Sequence, residues 1–364
     1  MPLYFQALGF EIEFGPYSSK VAVVGLFLVF WFSVFSLFSV PGKTIVVKPA
    51  ISSTVFARVS TMLTTCALVY LVIDTNGLIF TLEKGKMLSM LGYSYMLWTM
   101  MMIFAMVSSI DNRRSSLILI SIVSVLVNIY IGFRSPTAII FISIVVGYCL
   151  KNHKTIRDLP NMYLLLIILG GLFFFTYKGF YLSIKMGNYD LMLERVVSIE
   201  YIAGLFVNSE PSVTLSILSN VLEDELRIGS EHIMNIIISI GIFGWVDTGA
   251  VSYNSIIQPL YYPDIAGGVG SNIWANVYSL FNYSGLFIFI FMYVFSLYWL
   301  SVLVQRVDGT YKYLLLVLGS YWAFYIHRND LAYQVTLEKR VTLCFILIAL
   351  ISYVITKKKR AQID

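Results

Sequence analysis

The chain has 364 residues, of which 58% are hydrophobic and only 12% charged, against about 45–50% and about 25% in a soluble domain. So much apolar surface cannot be hidden inside one water-soluble core, because too few polar residues remain to cover it. With a net charge of only +5, this excludes secreted disulfide scaffolds, nucleic-acid binders and disordered regulators, and leaves a membrane protein. The three cysteines (Cys66, Cys149 and Cys344) all fall in apolar stretches and read as buried small hydrophobes, not as a disulfide or metal framework.

Met1–Lys20 carries Glu11, Glu13 and Pro16 without the basic start of a cleavable signal peptide, so the apolar run after it is expected to stay as a membrane helix. Candidate spans follow at Val21–Val40, Val55–Ile73, Leu88–Val107, Ser116–Ile131, Thr137–Leu150, Met162–Tyr177, Gly285–Val304, Tyr311–Ile326 and Val341–Ile355. Val55–Ile73 is the weaker pattern, diluted by Arg58 and several threonines. The expected fold is an all-α, polytopic integral membrane bundle of about nine (roughly eight to eleven) transmembrane helices, because backbone groups in lipid must be satisfied within each segment. It divides into an N-terminal membrane bundle over 1–177, a large outward loop over 178–284 and a C-terminal membrane bundle with a basic tail over 285–364.

Alternating spans place Lys43, Lys48, Arg113, Arg114, Lys151, Lys154, Arg157, Arg306, Lys312 and the Lys357–Arg360 tail on one side. The acids there are Asp111, Asp158, Asp308 and Asp364, so this side is expected to be cytoplasmic. The N-terminus is then outside and the C-terminus inside. The opposite side holds Lys178–Ser284, in which acidic residues outnumber basic ones. Its two apolar patches, Ile199–Leu222 and Ile233–Val246, read as short interfacial or re-entrant helices, since the first contains Glu200, Asn208, Glu210 and Pro211. A connection this long is functional more often than not.

Zinc, P-loop and dinucleotide motifs are absent, and Glu223–Asp224–Glu225 is contiguous, which suits a solvated loop tip better than a metal site. The most informative residue is Arg134, in the turn Gly132-Phe133-Arg134-Ser135-Pro136 between two apolar runs shorter than the roughly 20 residues a spanning helix needs. Short helices would draw that turn below the outer membrane surface, where a permanent charge needs an anionic partner or water. It reads either as an anion site, most simply for phosphate, or as a snorkelling arginine. Arg195, Arg227 and Arg328 are further outward basic residues, with Asp330 a candidate partner for Arg328, while Lys339 and Arg340 read as plain anchors of the last span.

Among the histidines, His153 lies in a basic cytoplasmic loop and reads as solvated, whereas His232 and His327 face outward. His232 follows Ser230 and Glu231 at the start of an apolar run. Ser230 could cap a helix there and Glu231 would suit its positive end. Alternatively, His232 or Glu231 could accept a proton from an attacking hydroxyl. Finally, Gly267-Gly268-Val269-Gly270-Ser271-Asn272-Ile273-Trp274-Ala275-Asn276-Val277-Tyr278 runs through Asn282-Tyr283-Ser284-Gly285 into a span. Its rings belong either to an aromatic belt or, with the neighbouring Asn and Ser groups, to a sugar-contacting surface formed by Trp274, Asn276 and Tyr278.

In layout, with its arginine hairpin, long outward loop and glycine-to-aromatic segment, the chain resembles bacterial O-antigen polymerases of the Wzy type. More broadly it resembles the polymerases and ligases of lipid-linked oligosaccharides. Gly132-Phe133-Arg134-Ser135 followed by Gly147 is similar to the family's arginine hairpin, and Gly267–Gly285 to its segment entering a late span. Many members carry an acid where this chain has Asn276.

The resemblance implies a metal-independent glycosyltransferase without cofactor, at the periplasmic face of the bacterial inner membrane. Its substrate would be an undecaprenyl-diphosphate-linked oligosaccharide, and a chain-length regulator in the same bilayer would be its partner. In these terms Arg134, with Arg195 and Arg328, would stabilise the diphosphate leaving group, and His232 or Glu231 would be the base. A ligase moving finished glycan, or a non-enzymatic flippase of the same lipid-linked unit, are the rival readings. A flippase would be expected to have short outer loops and charges along its helices.

Overall fold

A computed structural model describes residues 17–38, 51–80, 91–152, 154–207, 209–241, 251–264, 269–307 and 309–360. Glu11, Glu13, Pro16, Lys43, Lys48, His153, Asn208, Gly267, Gly268, Asp308, Asp364 and the last part of Ile233–Val246 lie outside them. The described chain is all-α. Five helices are long and apolar enough to cross a membrane: α1 (Ser19–Ser36), α2 (Ser53–Asp74), α3 (Tyr93–Asp111), α12 (Ile273–Arg306) and, over Leu331–Lys358, α14 (Leu331–Arg360). Other expected spans form α4 (Ser115–Ile131) and α5 (Ser135–Lys151), which are shorter apolar helices, α6 (Asn161–Lys185) and α13 (Tyr311–Ser320). Between α6 and α12 lie α7 (Tyr189–Val197), α8 (Ile199–Val207), α9 (Glu210–Glu223), α10 (Glu231–Ile240) and α11 (Tyr253–Tyr261).

These elements form two compact units, each assembled from noncontiguous stretches. One takes Gly42–Glu194, Leu300–Tyr321 and Arg340–Asp364. Within it α2 packs on α3 along a seam of small polar residues, with Ser60 Oγ 3.2 Å from Ser108 Oγ and Thr61 Oγ1 3.5 Å from Ser109 Oγ. The threonines that dilute the α2 pattern donate back to carbonyls one turn earlier, Thr61 to Ala57 at 2.8 Å and Thr64 to Ser60 at 2.8 Å. Their hydroxyls are therefore satisfied within the helix and cost little in an apolar setting. Cys66 on α2 is exposed, not buried, and only Cys149 is fully enclosed. On an apolar helix an outward thiol needs no polar partner, so the expectation of burial fails there without strain.

The α4–α5 hairpin belongs to the same unit. Gly132 takes the left-handed conformation (φ 100°) that ends a helix without a Cβ clash. The buried Asn128 amide donates to the Phe133 carbonyl at 2.7 Å, which closes the turn. Arg134 occupies the N-cap position of α5, with Pro136 in its first turn.

The other unit takes Met1–Pro41, Arg195–Trp299 and Trp322–Lys339. Its core gathers Val21 and Val24 of α1, Ile217, Leu218, Val221 and Leu222 of α9, Tyr253 and Ile257 of α11, and the start of α12. The patch expected over Ile199–Leu222 is split into two short helices, of which α9 is buried inside this unit. Its serines make that possible: Ser219 Oγ accepts from Ser18 N at 2.7 Å and Ser216 Oγ from Tyr262 at 2.8 Å. Lys20 Nζ donates to the Leu222 carbonyl at 2.9 Å near the end of α9, where a cation complements the helix dipole. Glu223, Asp224 and Glu225 are exposed beyond it. The amphipathic α10 leaves Met234, Ile237 and Ile240 exposed on one face, as an interfacial helix would.

Candidate functional site

The site is built where α12 begins. Gly270 (φ 84°) turns the chain, and Ser271 N donates to the Arg328 carbonyl at 2.9 Å. The Asn272 side chain accepts from Ala275 N at 3.0 Å and donates to the Thr214 carbonyl at 2.7 Å, so it caps α12 and ties it to α9. α12 runs regularly only to Asn282, whose backbone (φ 64°, ψ −171°) breaks the helix before the long apolar segment. This break leaves carbonyls without helical partners. Arg227 supplies them: Nη1 donates to the Tyr278 carbonyl at 2.7 Å and Nη2 to Asn282 Oδ1 at 2.5 Å, with the guanidinium 4.5 Å over the Tyr278 ring. Ile228 N adds a bond to the Ser279 carbonyl at 3.2 Å.

Facing that segment is the turn before α14. After α13 the chain widens into a π turn over Tyr321–Tyr325 and tightens into a 3-10 turn over Ile326–Arg328, a combination frequent at functional positions. Trp274 Nε1 donates to His327 Nδ1 at 3.1 Å, and Tyr293 OH lies 3.4 Å from His327 Nε2. Burial lowers the His327 pKa below its ordinary value. Arg328 pairs through Nε with Glu210, the first residue of α9. Burial works most strongly against its charge, but the Glu210 carboxylate together with Tyr325 and Tyr333 outweighs it and raises its pKa.

Arg328 is thus not paired with Asp330. Asp330 Oδ1 accepts from Tyr333 N at 2.8 Å and caps α14, while burial pushes its carboxyl above the ordinary carboxylate range. Asn276 Oδ1 accepts from Leu331 N at 3.1 Å and covers a second N–H of the same helix start.

His232 is buried in the first turn of α10, with Nε2 3.8 Å from Glu231 Oε1. Ser230 holds the N-cap position, but its side chain makes no cap bond, because its own backbone is already helical (φ −67°, ψ −18°). Lys339 is more than an anchor: its ammonium donates to the carbonyls of Ser239 at 2.8 Å and Gly241 at 2.7 Å, closing the far end of α10.

Among the expected residues, Arg328, Trp274 and Asn276 therefore meet around one turn, Trp274 through His327 and Asn276 through Leu331. Trp274, Asn276 and Tyr278 are all buried, with Trp274 Nε1, Asn276 Oδ1 and the Tyr278 hydroxyl engaged by protein partners. Arg195 stacks over Tyr201 at 5.1 Å. Arg134 belongs to the other compact unit. Sequence reading missed Glu210, His327 and the Arg227 clamp as members of this constellation. The donor-only indole N–H of Trp274 finds its acceptor in His327, but Trp31, Trp98 and Trp322 bury theirs without one among the described residues, so the indole gave no signal for this contact.

The fold and site define a protein that is all-helical over the described residues, with five helices long and apolar enough to cross a membrane and a polar constellation at the start of two of them. No family model, curated protein or solved structure matches the chain.

Proposed function

We propose that this protein polymerises undecaprenyl-diphosphate-linked oligosaccharide repeat units into O-antigen or a capsule-like polysaccharide at the periplasmic face of a bacterial inner membrane. In this reading the chain crosses the membrane about nine times, with the N-terminus periplasmic and the C-terminus cytoplasmic. The observation that carries it is Arg328, a guanidinium held between α9 and the start of α14 beside Trp274, Asn276 and His327. A charge placed in so apolar a chain is costly unless it is used or paired, and a lipid diphosphate is the anion such a membrane offers.

The acceptor sugar hydroxyl attacks the anomeric carbon of the growing chain. The bond from that carbon to the diphosphate oxygen breaks, and its electron pair stays on the lipid diphosphate. Arg328, with Arg195 of the same compact unit, stabilises that developing charge, Arg134 is a separate candidate anion ligand of the other unit, and the hydroxyl proton passes to His232 or Glu231. For Arg328 to do this, the diphosphate takes the place of the Glu210 carboxylate.

The test is deletion of the gene in its source strain, with surface polysaccharide separated by gel. Core carrying one repeat unit is expected, with the ladder restored by the wild-type gene and not by Arg134→Ala or Arg328→Ala at equal protein level. Bare core would point to a ligase or flippase instead, and an unchanged ladder would overturn the proposal.

A further inference from the structure

We infer that His327 is a positioning residue for Arg328: its neutral ring, accepting at Nδ1 from Trp274 and donating from Nε2 towards Tyr293, fixes the turn from which the guanidinium meets an anion. The inference rests on the reading of Arg328 as the anion ligand. A π turn running directly into a 3-10 turn has poor internal hydrogen bonding, so its geometry must be set from outside. Two flanking attachments do this. On one side, Ser271 N donates to the Arg328 carbonyl at 2.9 Å, where the Gly270 backbone passes close to the Arg328 side chain. On the other, the His327 ring is held at both nitrogens and lies 5.5 Å from the Trp274 ring and 5.8 Å from the Tyr293 ring.

The tautomer follows from the donors. An indole N–H can only donate, so His327 Nδ1 carries no proton and the ring hydrogen is on Nε2, aimed at the Tyr293 oxygen. Trp274 is itself held edge-on against Tyr293, with centroids 5.2 Å apart, so the acceptor is presented to a donor that cannot swing away. A shift of the ring would move the residue that follows it in a one-turn helix. Purely apolar packing would make no use of the Nδ1 lone pair, and that separates positioning from filling space.

The experiment titrates the purified full-length protein in detergent with inorganic diphosphate by calorimetry, following the melting temperature of each variant. Wild type should bind and Arg328→Ala should not. His327→Asn keeps an acceptor near the Nδ1 position and should stay within about threefold of wild type, whereas His327→Leu should bind about tenfold more weakly or worse. Trp274→Phe keeps an aromatic ring but removes the donor. It should reproduce the His327→Leu loss, and the double variant should be no weaker than either single one.

His327→Leu binding as wild type, Asn and Leu variants equally weak, or independent losses in the double variant would each overturn the inference while leaving Arg328 as the anion ligand. Should His327→Leu fail to fold, Trp274→Phe against His327→Asn decides the matter alone. Binding unaffected by Arg328→Ala would overturn both the inference and the role of Arg328.

Discussion

Asn282 is the only non-glycine residue of α12 with positive φ among those described, and its conformation (φ 64°, ψ −171°) lies in a region that is essentially restricted to glycine. Holding a side-chain-bearing residue there costs about 1–3 kcal/mol. What offsets it is the Asn282 Oδ1, which accepts from Arg227 Nη2 at 2.5 Å and from Tyr283 N at 3.1 Å. Asn282→Ala keeps the Cβ and loses both bonds. A charge-assisted bond is worth about 1.5–3 kcal/mol, and this one is partly solvated, so the expected loss is about 2 kcal/mol. Asn282→Gly loses the same bonds but relieves the strain, less about 0.4–1 kcal/mol for the freer unfolded chain.

Glycine should therefore be more stable than alanine at this position by about 1–2 kcal/mol, whereas inside a regular helix it is worse by about 1 kcal/mol. The sign of that difference is the test. Reversible unfolding of the detergent-solubilised protein with dodecyl sulfate measures it, with Arg227→Ala completing a double-mutant cycle in which the coupling should exceed about 1 kcal/mol. Alanine equal to or better than glycine, or additive losses at Arg227 and Asn282, would refute the clamped-break account.

Two further outcomes follow from the site. Burial lowers the His327 pKa, so the unfolded state binds the proton more readily: stability from this group is complete above about pH 6.5 and is lost as pH falls through the depressed native value. His327→Asn should flatten that part of the stability–pH profile, and a difference from wild type that does not change with pH would contradict it. Lys339→Met removes the donor to the Ser239 and Gly241 carbonyls and should cost about 1–2 kcal/mol. Amide exchange should quicken across α10, and unchanged protection there would refute the capping role.

The apolar runs were legible because they need no partner to be recognised. α1 shows this plainly, since its apolar run is recognisable although only Val21 and Val24 of its side chains are fully buried and Phe27, Leu28, Trp31 and Phe35 pack partly against the core. The turn at Gly132 was legible for a similar reason: a left-handed glycine, an arginine and an early proline are all local features. The start of α12 was not, because Gly285 looks like the entrance to a span while the helix begins at Ile273 and is interrupted at Asn282. That interruption depends on Arg227, which lies far away in sequence, and nothing in Asn282-Tyr283-Ser284-Gly285 announces it. α9 was hidden in the same way. Its polar residues argue against a span, and they pack inside because Ser18 and Tyr262 meet them from other parts of the chain.

Asp330 marks the boundary between what was readable and what was not. An aspartate immediately before a long apolar helix is an N-cap signature, and its carboxylate does accept the Tyr333 N–H. Once that carboxylate is turned towards its own helix, it is no longer placed to neutralise Arg328, although the two are close in sequence. A partly buried guanidinium then requires an acid from elsewhere, and α9 supplies Glu210 from its first turn, where the helix dipole itself favours a negative charge. Glu210 is thus stabilised by the start of its own helix as well as by Arg328. In the proposed function, an anion that displaces it competes with the Glu210 carboxylate for the Arg328 guanidinium, and Glu210 keeps its place at the helix N-terminus when the pair opens. In the proposed function that retained contact lowers the cost of opening the pair, as required of a guanidinium that is to meet a diphosphate and then release it.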